Sequence, residues 1–315
     1  MALLLNQLSK GIVFIGQPVH ATLFPYPIAA TFHAARISVV YQGNSRAATA
    51  ATNTKIPWPT YLAGYLIMAP ADALRAQTWG GTVITHQLMQ LPPPMLYSPN
   101  PYTIYLTTHL VMTLFFHLFP SLLSPTLFAF LDTVLFPLDA LVRTAAVTGT
   151  TSLLTLDSSI ARPLTTSPIT HLIIGAFASA GGGLTASTLS TWSPSWSFST
   201  PPVLRAQTLS ALAWGSMDIW GGALVATVYG TASGSEAFHG VQALVRTAVI
   251  ALAGTGIAQG EFALGAAWVP PLEAKALAAG VLAVCFGLRA YKTHWAAPVA
   301  PPAKQAKNVF KGKAQ

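Results

Sequence analysis

Between Arg162 and Arg205 the chain carries no Asp, Glu, Lys or Arg, and three consecutive glycines, Gly181 to Gly183, sit in the middle of that gap. A run of this kind is long enough to cross the ~30 Å hydrocarbon core of a bilayer, which takes about 20 residues of helix. Each glycine inside a helix costs roughly 1 kcal/mol relative to alanine, so three together predict a kink or break. In lipid, irregular backbone survives only where protein covers it or where it lines a water-filled cavity. The triplet therefore predicts either a conduit or a close helix contact through small residues.

The rest of the chain agrees with a bilayer setting. Of 315 residues, 52% are hydrophobic and only 8% charged, whereas soluble domains are about 25% charged. The expected fold class is an all-α membrane protein. Seven transmembrane helices are read from apolar segments: Phe24 to Tyr41, Tyr61 to Trp79, Tyr102 to Phe119, Leu122 to Val147, Ile169 to Leu189, Val203 to Tyr229 and Leu272 to Tyr291. A further stretch, Val241 to Ile257, holds Arg246 near its middle, so it is expected to lie in the interface or the lumen within an inserted segment, 233–270. Residues 1–295 form one transmembrane domain on this reading. Residues 296–315, with Lys304, Lys307, Lys311 and Lys313 and no acids, form a basic, disordered cytosolic tail. A basic flank after a last apolar helix is explained by the positive-inside rule without nucleic acid.

An odd number of spans puts the termini on opposite sides, with the C-terminus cytosolic and the N-terminus luminal. Arg46, Lys55, Arg205, Arg289 and Lys292 then sort to the cytosolic side, and Lys10, Arg162, Arg246 and Lys275 to the other. No cleaved signal peptide is expected from Met1 to Ser9. Cys285 is the single cysteine, which excludes an intramolecular disulfide and any cysteine-based metal cluster. Phe24-Pro25 and Phe136-Pro137, Thr60-Tyr61 and Thr170-His171, and Pro101-Tyr102 and Pro201-Pro202 echo one another. The echo suggests two three-helix repeats, inverted because three is odd, plus a seventh helix.

These residues resemble the trimeric intracellular cation (TRIC) channel family over most of the chain. Phe24-Pro25 is similar to the start of its first helix, and Lys55-Ile56-Pro57 through Ala71-Asp72-Ala73-Leu74 to its second. Phe136-Pro137 to Val147 resembles the fourth helix, and Gly181-Gly182-Gly183 the glycine-rich break in the fifth. Ser199-Thr200-Pro201 to Arg205-Ala206 is similar to the start of the sixth, and Trp268-Val269-Pro270 with Lys275-Ala276 to that of the seventh. The resemblance implies a homotrimer in the endoplasmic reticulum membrane, with one potassium pore per protomer and potassium as the permeant ion. The family's Lys-Glu-Val signature on the fourth helix, tied to phosphoinositide binding, is replaced by Ala145, Ala146 and Val147. The segment between Gly230 and Trp268 is also foreign to the family.

Candidate functional residues follow. The pore or kink set is Gly181, Gly182, Gly183 and Gly64, with Ser179, Thr185 and Ser187 hydroxyls able to replace part of an ion's water shell. Asp139 and Arg143, four apart, are expected to meet on one helix face. Arg143 lies just before the missing family lysine and is the candidate fixed positive charge near the pore. Asp72 and Arg75 are a similar interfacial pair. Asp218 has no basic residue nearby in sequence and must face water or an arginine of another helix, or be protonated. Arg36 and Arg205 read as orientation anchors or lipid-phosphate ligands, so a bound lipid is the one non-permeant partner expected besides bulk membrane lipids. His109 and His117 read as packed or interfacial rather than metal-binding, and Trp192, Trp196, Trp214 and Trp220 as interface and packing aromatics. Neither a cofactor nor a metal is expected, and no nucleophile elbow, catalytic carboxylate pair or phosphate loop points to an enzyme. Lys311 and Lys313 resemble a dilysine signal recognised by coat complexes. The leading expectation is a potassium channel supplying counter-ion current for calcium release and uptake. The alternatives are a secondary transporter with inverted repeats that uses an intramembrane Asp, and a non-conducting scaffold.

Overall fold

A computed structural model describes residues 2–69, 80–253 and 263–296. Among the described residues the architecture is helical apart from one small hairpin. Helix α1, Ala2–Ile15, leads into β1, Pro18–His20, and β2, Phe24–Pro27, which pair antiparallel with Pro18 opposite Pro27. The first expected span is therefore shifted: Phe24 to Pro27 is strand, and the helix α2 runs Ile28–Thr52 before Asn53 ends it in a left-handed conformation.

The second expected span is interrupted. Helix α3, Trp58–Met68, stops where Ala69 turns extended, and α4 covers Gly80–Met89. Asp72 and Arg75 fall outside the described residues, as do the tail lysines. Helix α5, Asn100–Leu118, and helix α6, Pro125–Leu156, match the third and fourth spans, the latter lengthened. The Ser124 hydroxyl accepts from the Leu127 N–H to cap α6, and Pro137 sits inside it. The loop after α6 is fixed by the Ser159 N–H and hydroxyl, which donate to Asp157 at 2.9 and 2.6 Å and hold its carboxyl below the usual range. A short turn of helix, α7, covers Arg162–Thr165.

Helix α8, Pro168–Leu189, begins at a Ser167 cap and runs unbroken to Ser190, so the interruption expected at the glycine triplet is absent. The break lies instead in the neighbour packed on it. The carbonyl of Met68, where α3 ends, rests on Gly182, at 2.6 Å from where a Cβ would stand. Gly81 of α4 packs on the Phe177 carbonyl of the same helix. The triplet thus gives two short helices a flat backbone surface, and the saving in side-chain bulk lets the helices approach closely.

The sixth expected span is two helices, α9, Leu209–Gly215, and α10, Met217–Ala232, bent by 67° at a Gly215-Ser216 pair. Helices α8 and α10 cross backbone to backbone at Gly175 and Gly222. Helix α11, His239–Ala253, is held at its start by Gln242. This buried amide donates to the Thr231 and Ala266 carbonyls at 2.8 and 3.0 Å and accepts from the Gly265 N–H at 2.9 Å. Helix α12, Pro271–His294, packs against α6, α10 and α1, with Leu8 against Gly280 and Phe136 against Gly287. Its core with α10 is built from Met217, Val225, Leu282 and Phe286. A second core joins α2, α3 and α5 through Tyr41, Tyr65, Ile104 and Tyr105.

Two described helices, Pro168–Leu189 and Pro271–His294, are long and apolar enough to cross a membrane, and three such spans result if the bent α9 and α10 pair counts as one.

A charged cavity between five helices

A charge-lined cavity of about 510 Å³ lies between α2, α6, α8, α10 and α12. Its wall is a line of alternating acids and bases. His294 Nε2 lies 3.0 Å from Asp132, and Asp132 accepts from Arg36 at 2.6 Å. Arg36 and Arg143 each approach Asp139 to 3.5 Å. Arg143 lies 3.3 Å from Asp218, and Arg289 donates to the same oxygen at 2.7 Å. Three aspartates thus alternate with three arginines, and their formal charges cancel. The line starts and ends on α12, and α6 supplies its middle through Asp132, Asp139 and Arg143, which are spaced by seven and four residues and share one helix face.

Local structure explains each position. Asp218 sits in the first turn of α10 because the chain bends at Gly215-Ser216, and a carboxylate there meets the positive end of the helix dipole. Arg143 reaches from α6 across to α8, donating to the Ser179 carbonyl at 2.7 Å. The Phe286 ring lies 5.4 Å from the Arg143 guanidinium and 4.5 Å from that of Arg289, so it supports both by cation–π attraction.

Burial falls off along the line. Asp139 is 1% exposed, while the side chains of Asp132 and Asp218 are 38% and 36% exposed. Neither oxygen of Asp139 accepts a hydrogen bond of good geometry from a described residue; both ring nitrogens of His33 and the Ser179 hydroxyl likewise lack a partner among the described residues, and Arg143 Nε donates to none. All four side chains line the cavity. Buried polar groups are rarely left unpaired, and a polar space of this size admits water to serve them.

The expected site residues divide between this cavity and plain packing. Asp139 and Arg143 meet as the spacing required, and Asp218 finds arginines of other helices. Gly183 lines the cavity with nothing within 4 Å of its would-be Cβ, whereas Gly181 and Gly182 are buried against α4 and the end of α3. Ser179 and Ser187 line the cavity, but the Thr185 hydroxyl is spent on the Gly181 carbonyl at 2.8 Å. Gly64 is remote from it, wedged against the Tyr41 hydroxyl and the Thr191 carbonyl. Arg36 is no orientation anchor: it is held by Asp132 and Asp139 inside the helices. Arg205 is exposed at the end of a 3-10 turn, Pro202–Arg205. His109 is buried, stacked on Tyr65 at 3.8 Å and hydrogen-bonded to the Ser38 hydroxyl at 2.7 Å, a packing role. No cluster of metal-ligating residues occurs among the described residues.

Four members of the site escape a reading of the sequence. The signal for Asp132 is its position seven residues before Asp139, on the same face of one helix. Arg289 looks like a loop charge because it lies within six residues of the helix end. His33 and His294 carry no local signal: only the packing of α2 brings His33 to the cavity, and only that of α12 brings His294 to Asp132.

Comparison of the chain with protein-family models, with curated proteins and with solved structures finds no match. What the geometry defines is a class: a mostly helical chain, with two or three helices suited to crossing a membrane and a charge-lined cavity between them.

Proposed function

We propose that this chain is a monovalent cation channel of the TRIC type, passing potassium through the cavity of each protomer. One observation carries the reading: six charged side chains line a single polar cavity between helices that include both long apolar ones. Charge at membrane depth is costly, and where it occurs it faces a bundle interior or a water-filled path. Alternating signs let the wall stay in place without a net charge that would repel a cation. Asp139 and Asp218 supply local negative potential, and the Gly183 side of α8 leaves room for a hydrated ion. On this reading the second span comprises α3 and α4 and the sixth α9 and α10, which restores seven spans in two inverted three-helix repeats plus α12. The protomers form a homotrimer in the endoplasmic reticulum membrane, with N-terminus luminal and C-terminus cytosolic, and carry counter-current for calcium movements.

The test is potassium flux into liposomes containing the purified chain. Wild type conducts, and Gly183→Leu, which places its side chain in the cavity and against no backbone, conducts far less while keeping its fold. Equal flux in the two removes the cavity from the path. A second reading, a proton-coupled transporter, is favoured by the buried Asp139 carboxylate, which accepts no hydrogen bond among the described residues. Saturable uptake driven by a proton gradient, without unitary currents in planar bilayers, would select it.

A further inference from the structure

A second pocket lies away from the charged cavity, in the cleft between α1 and the first turn of α12. It measures about 290 Å³, and its lining combines the polar Asn6, Ser9, Lys10 and Gln17 with the apolar Val13, Phe14 and Leu272. On α1, Asn6 and Lys10, four residues apart, share one helix face, Ser9 adjoins them, and Val13 extends the same face as an apolar continuation. None of the ion pairs among the described residues involves Lys10, which is exposed. Ser9 is only 8% exposed and its hydroxyl has no hydrogen-bond partner among the described residues. Leu272 is the second residue of α12, whose N-cap, Pro270, provides no side-chain cap. The first-turn N–H groups of a helix have no acceptors within it and present a partial positive charge.

We infer that this cleft binds the phosphate of an anionic membrane lipid, at the face of the bilayer where α12 begins. Lys10, Ser9, Asn6 and Gln17 all line this cleft beside the first turn of α12, and each of these side chains is able to donate to phosphate oxygens. Glu273, in the same turn, does not line the pocket. Val13 and Phe14, 53% and 58% exposed, border the polar stripe and offer the acyl chains an apolar surface. The source is committed to lipid on position: if α12 crosses the membrane, its first turn lies at headgroup depth. The inference rests on that membrane placement, not on ion conduction.

The purified full-length chain in detergent is titrated with phosphatidylglycerol, with phosphatidylcholine and with inorganic phosphate, following bound lipid by native mass spectrometry and thermal unfolding. Wild type retains phosphatidylglycerol over phosphatidylcholine. Lys10→Gln, at an exposed position that leaves the fold intact by circular dichroism, weakens retention about five-fold, the worth of one lysine at an anionic surface. Ser9→Ala weakens it in the same direction. Equal retention by wild type and both variants, or no preference for the anionic lipid, overturns the site. Stabilisation by inorganic phosphate equal to that by the lipid overturns the lipid as its ligand. Potassium flux in parallel separates this result from the channel reading, since loss of lipid with flux retained, or the reverse, sinks one and not the other.

Discussion

At the residue scale, neighbouring glycines of the triplet have different duties, because successive helical residues point about 100° apart. Gly182 meets a backbone carbonyl that cannot move aside, and Gly183 meets open space. Gly182→Leu is therefore expected to unfold the bundle or lower its melting temperature sharply, whereas Gly183→Leu melts like wild type; equal melting in detergent would contradict the packing. Asp139 gives a second contrast. It is the most buried of the three aspartates on the line and lies between two arginines, so Asp139→Asn leaves both cations short of a counter-charge and costs about 3–5 kcal/mol. Chemical denaturation of the two proteins measures it, and a loss under 1 kcal/mol would mean that water already screens the group. Arg143→Gln removes the guanidinium bonded to the Ser179 carbonyl and changes unitary conductance if the cavity is the path; identical currents would place conduction elsewhere.

At the element scale, close approach decides which helices tolerate change. The α8 and α10 backbones touch at Gly175 and Gly222, so Gly222→Ala forces two helices apart and costs about 1–3 kcal/mol by overpacking. Gly215→Ala at the bend meets nothing within 4 Å and restricts the unfolded chain, so its expected effect is neutral or slightly stabilising. Thermal unfolding of the pair checks the ordering, and a more stable Gly222→Ala would refute the crossing. The same logic shows what was legible beforehand. The extents of α5, α8 and α12 follow from apolar runs bounded by proline and serine, which are local signals. The Asp139 and Arg143 pair is local too. The end of α3 at Met68, the bend before Asp218 and the arrival of Arg36 and Arg289 at one cavity are tertiary facts, fixed by which backbones fit together. A glycine run announces that something approaches closely; it does not say whether its own helix or the neighbour's is the one that breaks.

At the scale of the whole molecule, the question is which surfaces meet water and which meet hydrocarbon. The outer face of α5 presents Leu110, Val111, Leu114 and Leu118, each about half or more exposed, while Ser187 lines a cavity walled by charge. In a bilayer these two surfaces have opposite reactivity toward a charged thiol reagent, because a thiolate forms in water and not in hydrocarbon. Replacing the single half-buried cysteine, Cys285→Ala, gives a silent background. On it, Ser187→Cys is expected to react with a membrane-impermeant thiosulfonate and to lose potassium flux on modification. Leu114→Cys is expected to resist the same reagent although it is the more exposed position, 60% exposed against a partly buried serine. The reversal is what makes the experiment decisive: in an aqueous setting reactivity would follow exposure, and only a lipid-facing α5 with a wet interior inverts the order. Rapid modification at Leu114→Cys would take α5 out of the membrane and with it the bundle that surrounds the charged cavity.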